Sequence, residues 1–330
     1  MGSKISNIEY EFPKNRVSNS QLAQEFPDYD FGSFEKKIGI KNRYIADENE
    51  TSISLGVSAA QKLFHKHSIN VNEIDFVIFC SQTHDYILPQ SSTIIQDKLN
   101  LRNDIGTIDI NHGCSGYIYG LSLAKSLINS ENIRKILFIT SDTYSKYIHQ
   151  KDRSLRSIFG DGASATLIEY TDEISIKNFI FGTDGSGSKD LMIQNGGTKF
   201  KKALDPELLE YGTNNYYTNN CIHMNGPKIF EFTIKAIPKA LKSLLIANNK
   251  SIDEIDYFIF HQANQFMLET LRKISGIPKE KFILDLKDYG NTVSSTIPIA
   301  LSKLLVKENK TFLLLGFGVG LSFAGTVIKT

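Results

Sequence analysis

Cys114 is the residue of this chain best set up for covalent chemistry. It lies in Asn111-His112-Gly113-Cys114-Ser115-Gly116, a small-residue turn that follows a short β-type run, Gly106 to Ile110. Behind the turn the apolar positions Ile118, Leu121, Ala124, Leu127 and Ile128 recur at helical spacing. A thiol at the N-terminal end of a helix meets unpaired N–H groups and the positive end of the helix dipole, which predicts a lowered pKa and a usable nucleophile. Cys80, inside the run Phe76-Val77-Ile78-Phe79-Cys80, reads instead as a small buried apolar residue. Together with Cys221 these cysteines are widely separated, without a CxxC pair or His partners at ligand spacing, so neither a disulfide framework nor a structural zinc site is expected.

Two further residues qualify. His261 closes a buried run in His261-Gln262-Ala263-Asn264. A single His is usually a satisfied structural residue, but an imidazole at the exit of a buried strand is also placed for proton transfer or hydrogen bonding. Asn291 follows Gly290 in Tyr289-Gly290-Asn291-Thr292-Val293-Ser294-Ser295, ahead of a helix expected through Ile297 to Leu305. By itself Asn291 reads as a turn or N-cap residue.

The scaffold that must position these residues is repeated in the chain. Glu73-Ile74-Asp75-Phe76-Val77-Ile78-Phe79-Cys80-Ser81-Gln82 returns as Glu254-Ile255-Asp256-Tyr257-Phe258-Ile259-Phe260-His261-Gln262-Ala263, which sets His261 opposite Cys80. Each copy follows an amphipathic segment, Ala59 to His67 and Ile237 to Asn248, so each unit reads helix, polar turn, buried strand. Ile136–Ile139 and Thr311–Leu315 are further apolar runs of the kind that helices cover on both faces. The sequence therefore predicts an α/β fold of two related halves, residues 1–172 with the cysteine and residues 173–330 with the His and Asn. Equivalent strand ends then meet at a pseudo-twofold axis, where sites tend to form.

Composition narrows the functional classes. Hydrophobic residues make up 41% and charged residues 22% of the 330, which excludes disordered and low-complexity classes. Lys and Arg number 37 against 36 Asp and Glu, with no basic block to neutralise phosphates, so nucleic acid is not an expected partner. No apolar run approaches the roughly 20 residues of a membrane helix, and Met1 to Phe12 reads as an edge strand, which makes the cytoplasm the expected compartment.

Cys114-Ser115-Gly116, His261-Gln262-Ala263-Asn264, Tyr289-Gly290-Asn291-Thr292-Val293-Ser294-Ser295 and Gly316-Phe317-Gly318-Val319-Gly320 resemble, in order and spacing, the signature segments of β-ketoacyl-ACP synthase III. Lys37-Ile38-Gly39-Ile40, Tyr86-Ile87-Leu88-Pro89 and Phe159-Gly160-Asp161-Gly162-Ala163 extend the resemblance nearly end to end. It implies a thiolase-like five-layered αβαβα fold and a homodimer without metal or organic cofactor. In that family Cys114 takes an acyl group from acyl-CoA, and the backbone N–H groups of Cys114 and Val319 hold the oxyanion. His261 and Asn291 then stabilise the enolate formed when malonyl-ACP loses CO2. The resemblance further assigns Lys37, Arg153, Asn264, Phe317 and Gly318 to substrate contact, and sends Leu88 into a partner's acyl pocket. The family's adenine-stacking tryptophan falls at Ser33; this chain has none, and Phe34 is the neighbouring substitute. Lys273 and Arg272 offer a patch for an acidic carrier protein. Rival readings are an acyltransferase that passes the Cys-bound acyl group to an amine or hydroxyl, and a catalytically silent subunit of a condensing complex.

Overall fold

The computed structural model describes residues 2–130 and 132–330. Strands β1 (Gly2–Glu11), β2 (Phe76–Cys80), β3 (Gly106–Ile110), β4 (Lys135–Asp142) and β5 (Gly162–Thr171) form one sheet in the order β1-β5-β4-β2-β3. Strands β6 (Ile176–Thr183), β7 (Tyr257–Phe260), β8 (Thr311–Gly318) and β9 (Ser322–Lys329) form a second in the order β6-β9-β8-β7. The chain crosses from one sheet to the other between Thr171 and Ile176.

The two sheets share one wiring diagram. In the first, β1 and β4 each run antiparallel to β5, and β2 lies parallel to β4 and β3. In the second, β6 and β8 each run antiparallel to β9, β7 is parallel to β8, and a parallel bridge from Phe258 to Phe282 stands where a fifth strand would be. The repeated sequence lands on equivalent strands: Phe76 pairs with Ile136, and Tyr257 pairs with Phe312.

Alternation along these strands builds the layers, because successive side chains point to opposite faces. Helices α1 (Ser52–Lys66), α2 (Gly116–Ser130), α3 (Gly226–Ala247), α4 (Gln265–Ile274) and α5 (Thr296–Ser302) receive them. Ile78, Phe138, Ile259 and Leu314 face inward onto Ile118 and Leu121 of α2 and Ile297 of α5. Val77, Phe79 and Ile139 face outward onto Leu55 and Leu63 of α1. Phe258, Phe260 and Leu313 do the same toward Leu241 and Leu244 of α3. The order is helix, sheet, central helices, sheet, helix, the five-layered αβαβα fold. Each of these fully buried side chains contributes about 1.5–3 kcal/mol. The arrangement directs the C-terminal ends of β3, β4, β7 and β8 toward the ends of the two central helices.

Candidate active site

Strand β3 delivers the chain to Cys114 just before α2 begins, and glycines allow the second half to close over it. Gly316 stands so close that a Cβ there would lie 2.7 Å from the Ser115 Cα. Gly318, at φ 158°, would place a Cβ 2.8 Å from both Cβ and Sγ of Cys114. Cys114 is 5% exposed. Burial drives its thiol up to about 12, the backbone N–H groups of Val319 and Cys114 oppose that rise, and the nearby Asp142 carboxyl adds to it. The low pKa expected from the helix end is therefore overturned. A helix terminus is worth at most about 2 kcal/mol, and complete loss of hydration outweighs it. The backbone N–H groups of Cys114 and Val319 nevertheless both lie near enough to the sulfur to favour its charged form.

His261 follows β7 and is 2% exposed. Burial lowers its pKa to about 3, so the imidazole is neutral. Its Nδ1 lies 2.7 Å from Thr296 Oγ1, and that hydroxyl is also 3.1 Å from the Val293 carbonyl. The hydroxyl has one proton and can give it to only one of the two. Donated to Nδ1, it leaves Nε2–H free to act as a hydrogen-bond donor; donated to Val293, it leaves a bare Nε2. Asn291 Nδ2 stands 3.4 Å from His261 Nε2, while Asn291 Oδ1 accepts the Val293 N–H at 2.9 Å. The asparagine thus serves both as the turn residue and as a polar group facing the imidazole. Phe317 sets its ring edge-on to His261 at 5.7 Å between centroids.

Cys114, His261 and Asn291 line one cavity of about 410 Å³ together with Lys37, Asn264, Phe317 and Gly318. Its remaining wall is apolar, including Phe159, Leu191, Met224 and Phe230. Lys37 lies over the Phe266 ring at 5.0 Å. Asn264 also caps α4, its Oδ1 accepting the Met267 N–H. Arg153 is not brought to this cavity: its guanidinium packs over Tyr29 and donates to the Thr213 carbonyl. Phe34 is likewise removed from any stacking role, being buried with Leu22 and Phe31. Arg272 is held by Glu269, which leaves Lys273 as the exposed cation of that pair. Leu88 is 79% exposed and touches none of the chain's own cavity. Cys80 is fully buried, its thiol donating to the His112 carbonyl.

Sequence reasoning missed Asp142 and Thr296. Asp142 ends β4 and accepts from the backbone N–H of Gln82 and from the N–H and hydroxyl of Ser294, tying the first sheet to the loop that carries Asn291. Burial raises its pKa to about 7. A carboxylate two residues beyond the apolar run Ile136–Ile139 and its Thr140 was the available signal. Among the described residues no group of three His, Cys, Asp or Glu side chains could hold a metal ion, and no helix is long and apolar enough to cross a membrane.

Comparison with known proteins places this geometry. The family model for 3-oxoacyl-[acyl-carrier-protein] synthase III matches residues 108–185, and the model for its C terminal matches residues 245–330. A β-ketoacyl-[acyl-carrier-protein] synthase III of Clostridium perfringens (strain ATCC 13124) is 36% identical, over 96% of this chain and 96% of its own. A β-ketoacyl-[acyl-carrier-protein] synthase III 2 of Halalkalibacterium halodurans is 34% identical, over 99% of this chain and 96% of its own. The crystal structure of a 3-oxoacyl-(acyl-carrier-protein) synthase III superposes with a TM-score of 0.97 at 40% identity, covering both chains completely. A 3-oxoacyl-(acyl-carrier protein) synthase of Burkholderia xenovorans LB400 gives 0.89 at 31% identity, over 99% of this chain and 94% of that one.

Proposed function

This chain belongs to the β-ketoacyl-ACP synthase III family, and on that premise we propose how its residues divide the reaction. The protein is a condensing enzyme of the acyltransferase class in fatty acid biosynthesis. In the first half-reaction Cys114 attacks an acyl-CoA thioester. The bond from acyl carbon to CoA sulfur breaks, the bond to Sγ forms, and the thiol proton leaves with CoA. The carbonyl oxygen sits between the N–H groups of Cys114 and Val319 as it gains charge. Splitting one transfer into two lowers each barrier.

In the second half-reaction malonyl-ACP enters the cavity. Loss of CO2 leaves an electron pair that delocalises into the thioester as an enolate, whose oxygen is held by Asn291 Nδ2–H and, with the Thr296 hydroxyl proton given to Nδ1, by His261 Nε2–H. The carbanion carbon attacks the acyl-Cys114 carbonyl, the bond to Sγ breaks, and the sulfur recovers a proton from solvent. Apolar walls such as Phe317 keep water from both reactive species. Support comes above all from the meeting of Cys114, His261 and Asn291 in one largely apolar cavity. The enzyme works in the cytoplasm as a cofactor-independent homodimer. Tyr86, Ile87 and Leu88, and Ile108 of the edge strand β3, are exposed apolar residues that a second copy would cover.

The test is CO2 release from labelled malonyl-ACP on preformed acyl-enzyme. Wild type should release CO2 in step with β-ketoacyl product. His261→Ala and Asn291→Ala should lose CO2 release by ~100-fold or more, and acyl-enzyme formation by much less. Discharge of the acyl group onto an amine or hydroxyl without CO2 would replace condensation by simple transfer.

A further inference from the structure

A second cavity, of about 300 Å³, adjoins the first. Leu191 lines both, and Val319, which lines the second chamber, directly follows Gly318, which lines the first and packs against Cys114. Tyr144 also bridges them, lining the second chamber with its ring packed 5.2 Å from Phe159 of the first. An acyl group on Cys114, with its oxygen between the two N–H groups, has this chamber as its neighbour.

The chamber is not the plain apolar sleeve that an alkyl chain needs. Gln82, Thr83, Asn111 and Tyr144 lie among its lining residues with Ile222 and Val319. The Tyr144 hydroxyl donates to Gln82 Oε1 at 2.6 Å, and the Gln82 backbone N–H is held by Asp142. The glutamine is thereby oriented, yet its Nε2 has no partner among the described residues, whereas Asn111 is exposed to solvent. Thr83 is already engaged by Ser52 and the Thr143 N–H. Leaving an oriented amide unpaired beside an alkyl chain costs about 1–3 kcal/mol, whereas an oxygen on the ligand satisfies it. The ligand oxygen is uncharged, because no Lys, Arg or His lines the chamber and the buried Asp142 stands behind Gln82.

We propose that this chamber selects short acyl groups carrying a neutral hydrogen-bonding oxygen, a hydroxyl or oxo group, beyond the thioester. The inference rests on the acyl-Cys114 reading. Gln82 supplies the donor, and Tyr144 fixes the glutamine.

Intact-mass rates of Cys114 acylation test it, with acetyl-CoA, butyryl-CoA, 3-hydroxybutyryl-CoA and succinyl-CoA as probes. The readout is the ratio of hydroxybutyryl to butyryl rates within each protein, which partial loss of fold does not move. Wild type should favour the hydroxyacyl group about tenfold, the worth of one good hydrogen bond. Gln82→Leu should bring the ratio to about one, and Tyr144→Phe should lower it severalfold. A wild-type ratio at or below one, an unchanged ratio in Gln82→Leu, or succinyl-CoA outrunning the others would overturn it. If acetyl-CoA acylates Cys114 while the ratio fails, the selectivity alone is wrong. If no thioester acylates Cys114, the acyl-enzyme reading falls and takes the selectivity with it.

Discussion

The high pKa of Cys114 makes a quantitative prediction about the resting enzyme. Burial lifts the thiol from an ordinary value of 9.0 to about 12, which corresponds to ~4 kcal/mol against the thiolate. At pH 7 the thiolate fraction is then roughly 10⁻⁵, compared with about one per cent at the ordinary value. An acid whose pKa is raised stays protonated, so any thiolate-dependent rate climbs with pH until that pKa is passed. Alkylation by iodoacetamide, followed by intact mass between pH 6 and 10 with Cys114→Ala as background, should be roughly 10³-fold slower than for free cysteine at pH 7. Its logarithm should rise by one per pH unit without a plateau. A plateau at or below pH 8 would refute the reasoning, because it requires a thiolate stabilised in the resting site. The natural partner for such a thiolate is a protonated imidazole, and His261 is neutral down to about pH 3. In the proposed mechanism the thiol proton is therefore removed only during the encounter with the acyl donor.

Other outcomes follow from single contacts. Thr296→Val keeps the shape of the side chain and removes the hydroxyl 2.7 Å from His261 Nδ1. CO2 release should fall about tenfold more than acylation, and Thr296→Ser should restore it; a merely structural threonine would lower both half-reactions together. Leu88→Ala should raise acylation by longer chains roughly tenfold relative to acetyl, if Leu88 enters a partner's pocket. Light scattering should give a dimer for both proteins, and a monomer or an unchanged chain-length profile would count against that assembly.

Much of the architecture was legible because its signals are local. The repeat of Glu73–Gln82 at Glu254–Ala263 is a matter of residue order, and it lands on β2 and β7, at equivalent places in sheets of the same wiring. The turn at Cys114 is written in small residues between an apolar strand and a helical period. Asn291 was legible only in part: its turn role is local, while its approach to His261 joins residues from different elements.

What the sequence determined by itself is the duplicated α/β frame and the segments that carry Cys114, His261 and Asn291, since periodicity and turn chemistry act over a few residues. Tertiary structure alone decided the energetics of those side chains. Desolvation sums over every neighbour that excludes water, so the helix-end argument for a low Cys114 pKa failed once both halves closed over the sulfur. The same closure put Asp142 behind Gln82 and Ser294, and set the Thr296 hydroxyl between His261 and Val293. It buried Phe34 against Leu22 and Phe31 and packed the Arg153 guanidinium over Tyr29. A residue type in a motif fixes which chemistry is available; which proton sits where depends on contacts between residues far apart in the chain.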